Sequence, residues 1–135
     1  MRTNIMNRLR SPIITSFVAC SVFMPNLNAA PQGGVIVGGS GNIDSGLANT
    51  TTINQSSQNL VVNWSSFNVN ANESVNFNQP SSTAAALNQI YDQNPSQIFG
   101  AINANGRVFL SNPNGLIFGP TSTVNVGALL ATSLN

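Results

Sequence analysis

Val108-Phe109-Leu110-Ser111-Asn112-Pro113-Asn114-Gly115-Leu116-Ile117-Phe118-Gly119-Pro120-Thr121-Ser122-Thr123-Val124-Asn125-Val126 decides how this chain folds. Three triplets within it, Val108-Phe109-Leu110, Leu116-Ile117-Phe118 and Val124-Asn125-Val126, start eight residues apart. Between them stand Asn112-Pro113-Asn114-Gly115 and Gly119-Pro120-Thr121-Ser122. Both are turn sequences, with Pro to fix φ and Gly or Asn to accept positive φ. The same step runs through Ile102, Leu110, Phe118 and Val126. Upstream, Ile53, Val61, Val69 and Phe77 form a second train, shadowed two positions earlier by Phe67 and Val75.

Strands of three or four residues at so short a step fit either an antiparallel sandwich or barrel, or a parallel solenoid whose successive strands lie on different faces of a coil. Sandwich strands alternate over five or six positions, longer than these triplets allow. The solenoid is therefore expected, with three strands to a coil of about 24 residues. The first and third side chains of each triplet then point inward and the middle one outward. Asn68, Asn76 and Asn125 suit the outward position. Phe109 and Ile117 do not, so a flanking element is expected to cover them. Residues 79–97 interrupt the register and are the natural candidate for that cover. Ser81 or Ser82 suits the cap of a short helix through Ala84-Ala85-Ala86-Leu87, and Leu87, Gln89 and Tyr91 equally suit an alternating strand. The sequence leaves both open.

Composition narrows the function. The 135 residues carry four Arg or Lys and three Asp or Glu, and no His. Three of the four cations, Arg2, Arg8 and Arg10, lie in the first ten positions; Ile13 to Met24 follows without a charge, and Pro25-Asn26-Leu27-Asn28-Ala29-Ala30 ends on small residues. That order is a secretory signal peptide over residues 1–30, cleaved after Ala29 or Ala30. The apolar run is too short for a membrane-crossing helix, and Pro25 ends it. The single Cys, Cys20, sits within the run. A lipoprotein cleavage site there is disfavoured by the few apolar residues before it. Residues 31–135 are then cysteine-free and cannot be stapled by disulfides. In them Arg107 stands against Asp44, Glu73 and Asp92, a net charge of −2, which offers no basic surface to nucleic acid.

Without His or thiol, and with three scattered acids, these residues supply no metal site, nucleophile–base pair or carboxylate dyad. We expect no enzyme, no cofactor and no metal. Forty-five of the 105 residues are Asn, Gln, Ser or Thr, yet Val, Ile, Leu and Phe recur throughout, which argues against a disordered polar tract. Arg107 reads as a solvated strand-edge charge and Trp64 as a core or coil-capping residue.

Several blocks carry a resemblance. Asn63-Trp64-Ser65-Ser66-Phe67-Asn68-Val69, Val75-Asn76-Phe77, Asn94-Pro95-Ser96-Gln97-Ile98-Phe99-Gly100 and Asn105-Gly106-Arg107-Val108-Phe109-Leu110-Ser111-Asn112-Pro113-Asn114-Gly115-Leu116 are similar to the amino-terminal secretion domain of filamentous-haemagglutinin-like proteins of the bacterial two-partner pathway. Asn112-Pro113-Asn114-Gly115-Leu116 resembles the family's Asn-Pro-Asn-Gly-Ile signature, with Leu116 for Ile. The additional upstream Asn-Pro-Asn-Leu motif that some members carry does not occur here, which places the chain nearer the high-molecular-weight adhesin branch.

The resemblance implies an all-β fold, a right-handed parallel β-helix with flanking extra strands. It implies passage through the general secretion machinery into the periplasm, then recognition by an outer-membrane β-barrel transporter with periplasmic recognition domains. Release to the cell surface or medium follows. Any host surface or carbohydrate would be met through a downstream adhesin-type body. Asn112, Pro113, Asn114, Gly115 and Leu116 are the candidate site, as a structural turn or as a transporter contact. Turn chemistry favours the first reading, because it accounts for every residue of the motif.

The alternatives are a stand-alone surface β-solenoid that binds carbohydrate or host surface through Asn/Thr ladders, and a polysaccharide lyase or hydrolase, for which the acids are too few. Ala128 to Asn135 reads as a further strand with nothing to close the coil, so residues 31–135 are expected to be the amino-terminal part of a truncated domain.

Overall fold

Short apolar runs broken by Gly, Asn and Pro fold here into stacked strands that turn a corner every few residues. The computed structural model describes residues 29–134; residues 1–28, which hold Cys20 and most of the expected signal peptide, lie outside them. The strands are β1 (Val35–Gly38), β2 (Gly41–Asp44), β3 (Thr50–Gln55), β4 (Asn59–Trp64), β5 (Ser74–Asn78), β6 (Ala85–Ile90), β7 (Ser96–Ile98), β8 (Ala101–Ala104), β9 (Arg107–Ser111), β10 (Leu116–Phe118), β11 (Thr123–Asn125) and β12 (Ala128–Thr132).

They form three sheets, ordered β1-β4-β6-β9-β12, β11-β8-β5-β3-β2 and β10-β7. Val69 extends the smallest sheet through a parallel bridge to Ile98. All pairings between coils are parallel. This is the expected right-handed parallel β-helix. β1 and β2 are the extra strands: they pair antiparallel with β4 and β3 and cover the first coil. The repeat is less regular than 24. Register partners are 24 residues apart at Thr50↔Ser74, 27 at Ser74↔Ala101 and 20 at Ser96↔Leu116.

The strands keep strict alternation, so each coil buries a fixed set of side chains. Leu60, Val62, Trp64, Phe67, Val69, Val75, Phe77, Ile98, Ile102, Val108 and Leu110 are at most 2% exposed and form one core. Removing such a side chain to Ala costs about 2–5 kcal/mol. Val61, a member of the upstream train, points outward, while its neighbours Leu60 and Val62 fill the core. The reason is the turn between β3 and β4: Gln55 and Leu60 both point inward across an odd separation, so alternation does not carry through the corner.

Residues 79–97 are not a cover. They supply β6 and β7 of the coil itself, in the strand form rather than the helical one. Ala86, Asn88 and Ile90 face inward, and Leu87 and Gln89 face outward. Phe109 is half-buried on the outer face, in register with Leu87 on one side and Leu130 on the other. Sheet neighbours shelter it in place of a flanking element. Ile117 is 48% exposed, because its sheet has too few strands to offer that shelter.

Trp64 lies in the core beneath the cap. A Cβ on Gly34 would stand 2.5 Å from the indole, so only glycine lets β1 close over it. The indole meets the Phe67 ring edge-on at a centroid distance of 5.4 Å. Its Nε1 donates to Asn88 Oδ1 at 2.8 Å, which explains a fully buried Asn between Val62 and Leu110. A buried indole N–H needs an acceptor, and Asn88 supplies it. Arg107 is exposed at the start of β9 and donates through Nη2 to Thr83 O.

Candidate functional site

Asn112 to Gly115 forms the corner between β9 and β10, where the chain leaves one sheet for another and its backbone groups lose their ladder partners. Asn112 is fully buried. Its Nδ2 donates to Asn94 O at 3.2 Å and Ser96 Oγ at 3.0 Å, and its Oδ1 accepts from Asn114 N at 2.9 Å. One side chain thus ties the corner to the previous coil and closes its own turn. Gly115 N donates to Asn112 O at 2.8 Å, and Gly115 takes φ 108°, a conformation other residues avoid. Pro113 and Asn114 are exposed, though Asn114 Nδ2 donates to Asp92 O at 2.7 Å. Leu116 is partly buried against the core and starts β10 in register with Ser96.

The motif therefore divides. Asn112, Gly115 and Leu116 face the fold, and Pro113 and Asn114 face solvent. The coil before it carries a matching corner, Asp92-Gln93-Asn94-Pro95-Ser96, in which Asp92 Oδ1 accepts from Asn94 N at 3.0 Å. Further down the same edge, Asn68 Oδ1 accepts from Gln97 N at 2.8 Å. Asn94, Ser96 and Asp92 belong to the site as much as the motif does. The repeated Asn-Pro, 18 residues before Asn112-Pro113, is the sequence signal that marks them.

The corner between β5 and β6 is built differently. Gln79 is 8% and Gln55 6% exposed. Gln79 Nε2 donates to Gln55 Oε1 at 3.2 Å and Arg107 O at 3.1 Å, and Gly106 N donates to Gln79 Oε1 at 2.8 Å. Gln55 Nε2 in turn reaches Ser57 O, Gln58 O and Ala85 O. Asn105 completes the corner, accepting from Gln79 N and donating to Gln79 O. On the outer faces, Asn78 donates to Asn54 and Asn103 to Asn76, at 2.9 and 2.8 Å. Such stacked amides suit a coil that repeats its corners one layer apart. Among the described residues, no three His, Cys, Asp or Glu side chains gather where they would hold a metal ion.

Comparison with known proteins gives three findings. The family model of the TPS secretion domain matches residues 28–135. Two Haemophilus influenzae proteins called heme/hemopexin-binding protein are each 40% identical over 103 residues, 76% of this chain and 11% of theirs. The chain thus spans about a tenth of the length of these curated relatives. The crystal structure of the HMW1 secretion domain from Haemophilus influenzae superimposes with a TM-score of 0.74 and 33% identity, covering 78% of this chain and 28% of that one.

Proposed function

The chain belongs to the TPS secretion domain family, the domain of exoproteins exported by two-partner secretion, and from that premise we propose that it addresses a large adhesin- or haemagglutinin-like exoprotein to its outer-membrane β-barrel transporter. Periplasmic domains of the transporter recognise the chain after passage through the general secretion machinery, and the exoprotein is released to the cell surface or medium. The observation that carries this reading is the combination of the matched family with a coil whose buried amides Gln55, Gln79 and Asn112 are bonded within its own corners. Amide ladders fix the shape of the coil.

Within that function, Asn112 and Gly115 act by holding the corner. Pro113 and Asn114 are the part of the motif that solvent, and so a partner, can reach. The 40% identity to the heme/hemopexin-binding proteins favours a second reading of the exported body, as a binder of heme or its carrier in place of an adhesin. Both readings share the secretion role.

The test is to produce the chain in a Gram-negative host with and without an outer-membrane two-partner transporter encoded beside its gene. Accumulation in the medium only when the transporter is present supports the function. Equal amounts outside with and without it contradict the function.

A further inference from the structure

Glu73 is 4% exposed, and its carboxylate is unevenly served. Oε1 accepts from Asn70 N at 2.8 Å and from Ala30 N at 3.0 Å, whereas Oε2 is buried with no hydrogen-bond partner. A buried carboxylate with an orphaned oxygen is costly unless a cation is paired with it. Arg107 is the one cationic side chain among the described residues, and it is occupied at the β5–β6 corner with Thr83 O. Glu73 instead lines a cleft of about 680 Å³ under the cap, together with Ala30, Pro31, Gly34, Trp64 and Thr51. The backbone nitrogen already beside it, Ala30 N, directly follows a candidate signal cleavage point.

We propose that Glu73 is the binding site for the α-ammonium group of Ala30, created by cleavage between Ala29 and Ala30. Hydrolysis of that peptide bond by the host's signal-removing protease consumes one water, leaves a carboxylate on Ala29, and frees an amine on Ala30 that takes up a proton. The amide that offered one N–H to Oε1 becomes a cation with three donors. It stays within reach of Oε1 and has hydrogens to spare for Oε2. Capture of an N-terminal amine by a prepared acceptor is a known mode of recognition. Cleavage after Ala30 would remove the Ala30 donor altogether, so the geometry selects the earlier bond. The consequence is a cap that is locked only by processing: the ion pair over the first coil does not exist in the precursor.

The chain has no Lys, so its α-amine is its only amine and can be acetylated selectively. The experiment produces residues 1–135 in an exporting host, determines the first residue of the recovered protein by intact mass, and melts it before and after acetylation. A mature chain starting at Ala30 that loses about 5 °C or more of Tm on acetylation supports the site, given the 4–8 °C per kcal/mol expected for a domain of this size. In Glu73→Gln, acetylation is expected to shift Tm by less than about 2 °C. A mature chain beginning at another residue overturns the proposal, as does a wild-type Tm unchanged by acetylation. An equal loss in wild type and Glu73→Gln overturns it too. Should Glu73→Gln not fold, a wild-type chain with one extra Ala before Ala30 serves instead, and melting like the acetylated form supports the site while melting like the free form overturns it.

Discussion

At the β5–β6 corner Gln79 and Gln55 are both buried, and their amides bond to each other and to the backbone of three coils. At the β9–β10 corner a single amide, Asn112, is buried in the same way, and it closes its own turn through Asn114 N before the exposed Pro113 and Asn114 give way to Gly115. Both corners answer one difficulty: a chain that changes sheets strands its N–H and C=O groups, and burying them unpaired costs about 1–3 kcal/mol each. The Gln corner answers it with two buried side chains that reach the backbone of neighbouring coils, while Pro80, Ser82 and Thr83 stay exposed. The Asn-Pro-Asn-Gly corner uses a shorter side chain, so the turn is tighter, and Pro113 and Asn114 are left on the outside. One motif thus holds two kinds of residue, and a substitution at Asn112 and one at Asn114 ask separate questions.

Four substitutions set the two corners against each other. The largest effect is expected from Gln79→Ala, which strips partners from Gly106 N, Gln55 Oε1 and Arg107 O at once. Thermal or denaturant melts should show a loss of about 3 kcal/mol. A loss below about 1 kcal/mol would mean that water replaces the ladder and that the corner is not closed as described.

Asn112→Ala should cost about 2 kcal/mol, since Asn94 O and Ser96 Oγ lose a buried donor, while Asn114→Ala should cost less than about 1 kcal/mol. Equal losses would erase the distinction between the two halves of the motif. The smallest effect belongs to the outer ladder. Asn76→Ala removes the exposed-face bond from Asn103 and should cost about 0.5 kcal/mol, within the range of cross-strand pairs.

The fold was legible because a parallel coil imposes parity on each strand. Val108 and Leu110 inward with Phe109 between them, and Asn76 and Asn125 outward, follow from alternation alone. Corners do not conserve parity, which is why Val61, in step with Ile53, Val69 and Phe77 by spacing, lies outside the core that those three share. Phe109 invited a cover because an outward aromatic looks unsheltered from sequence, whereas a parallel sheet stacks Leu87 and Leu130 beside it.

The turn residues Pro113 and Gly115 declared themselves through backbone chemistry. The buried amides did not: Gln55, Gln79 and Asn88 are polar residues at inward positions. Only the three-dimensional stacking of coils shows that each meets a partner another coil supplies. By sequence Glu73 is one acid among three, and its place under the cap depends on a contact 43 residues away in sequence.

The most direct measurement pairs folding with export. Asn112→Ala and Asn114→Ala chains are each assayed for their β-rich circular dichroism melt and for their amount in the medium when the transporter is present. Our account predicts that Asn112→Ala loses stability and export together, and that Asn114→Ala keeps its melt and exports within about a factor of two of wild type, a difference of less than 1 kcal/mol. A variant that melts like wild type yet stays in the periplasm would contradict it, and would make the motif a transporter contact in its own right.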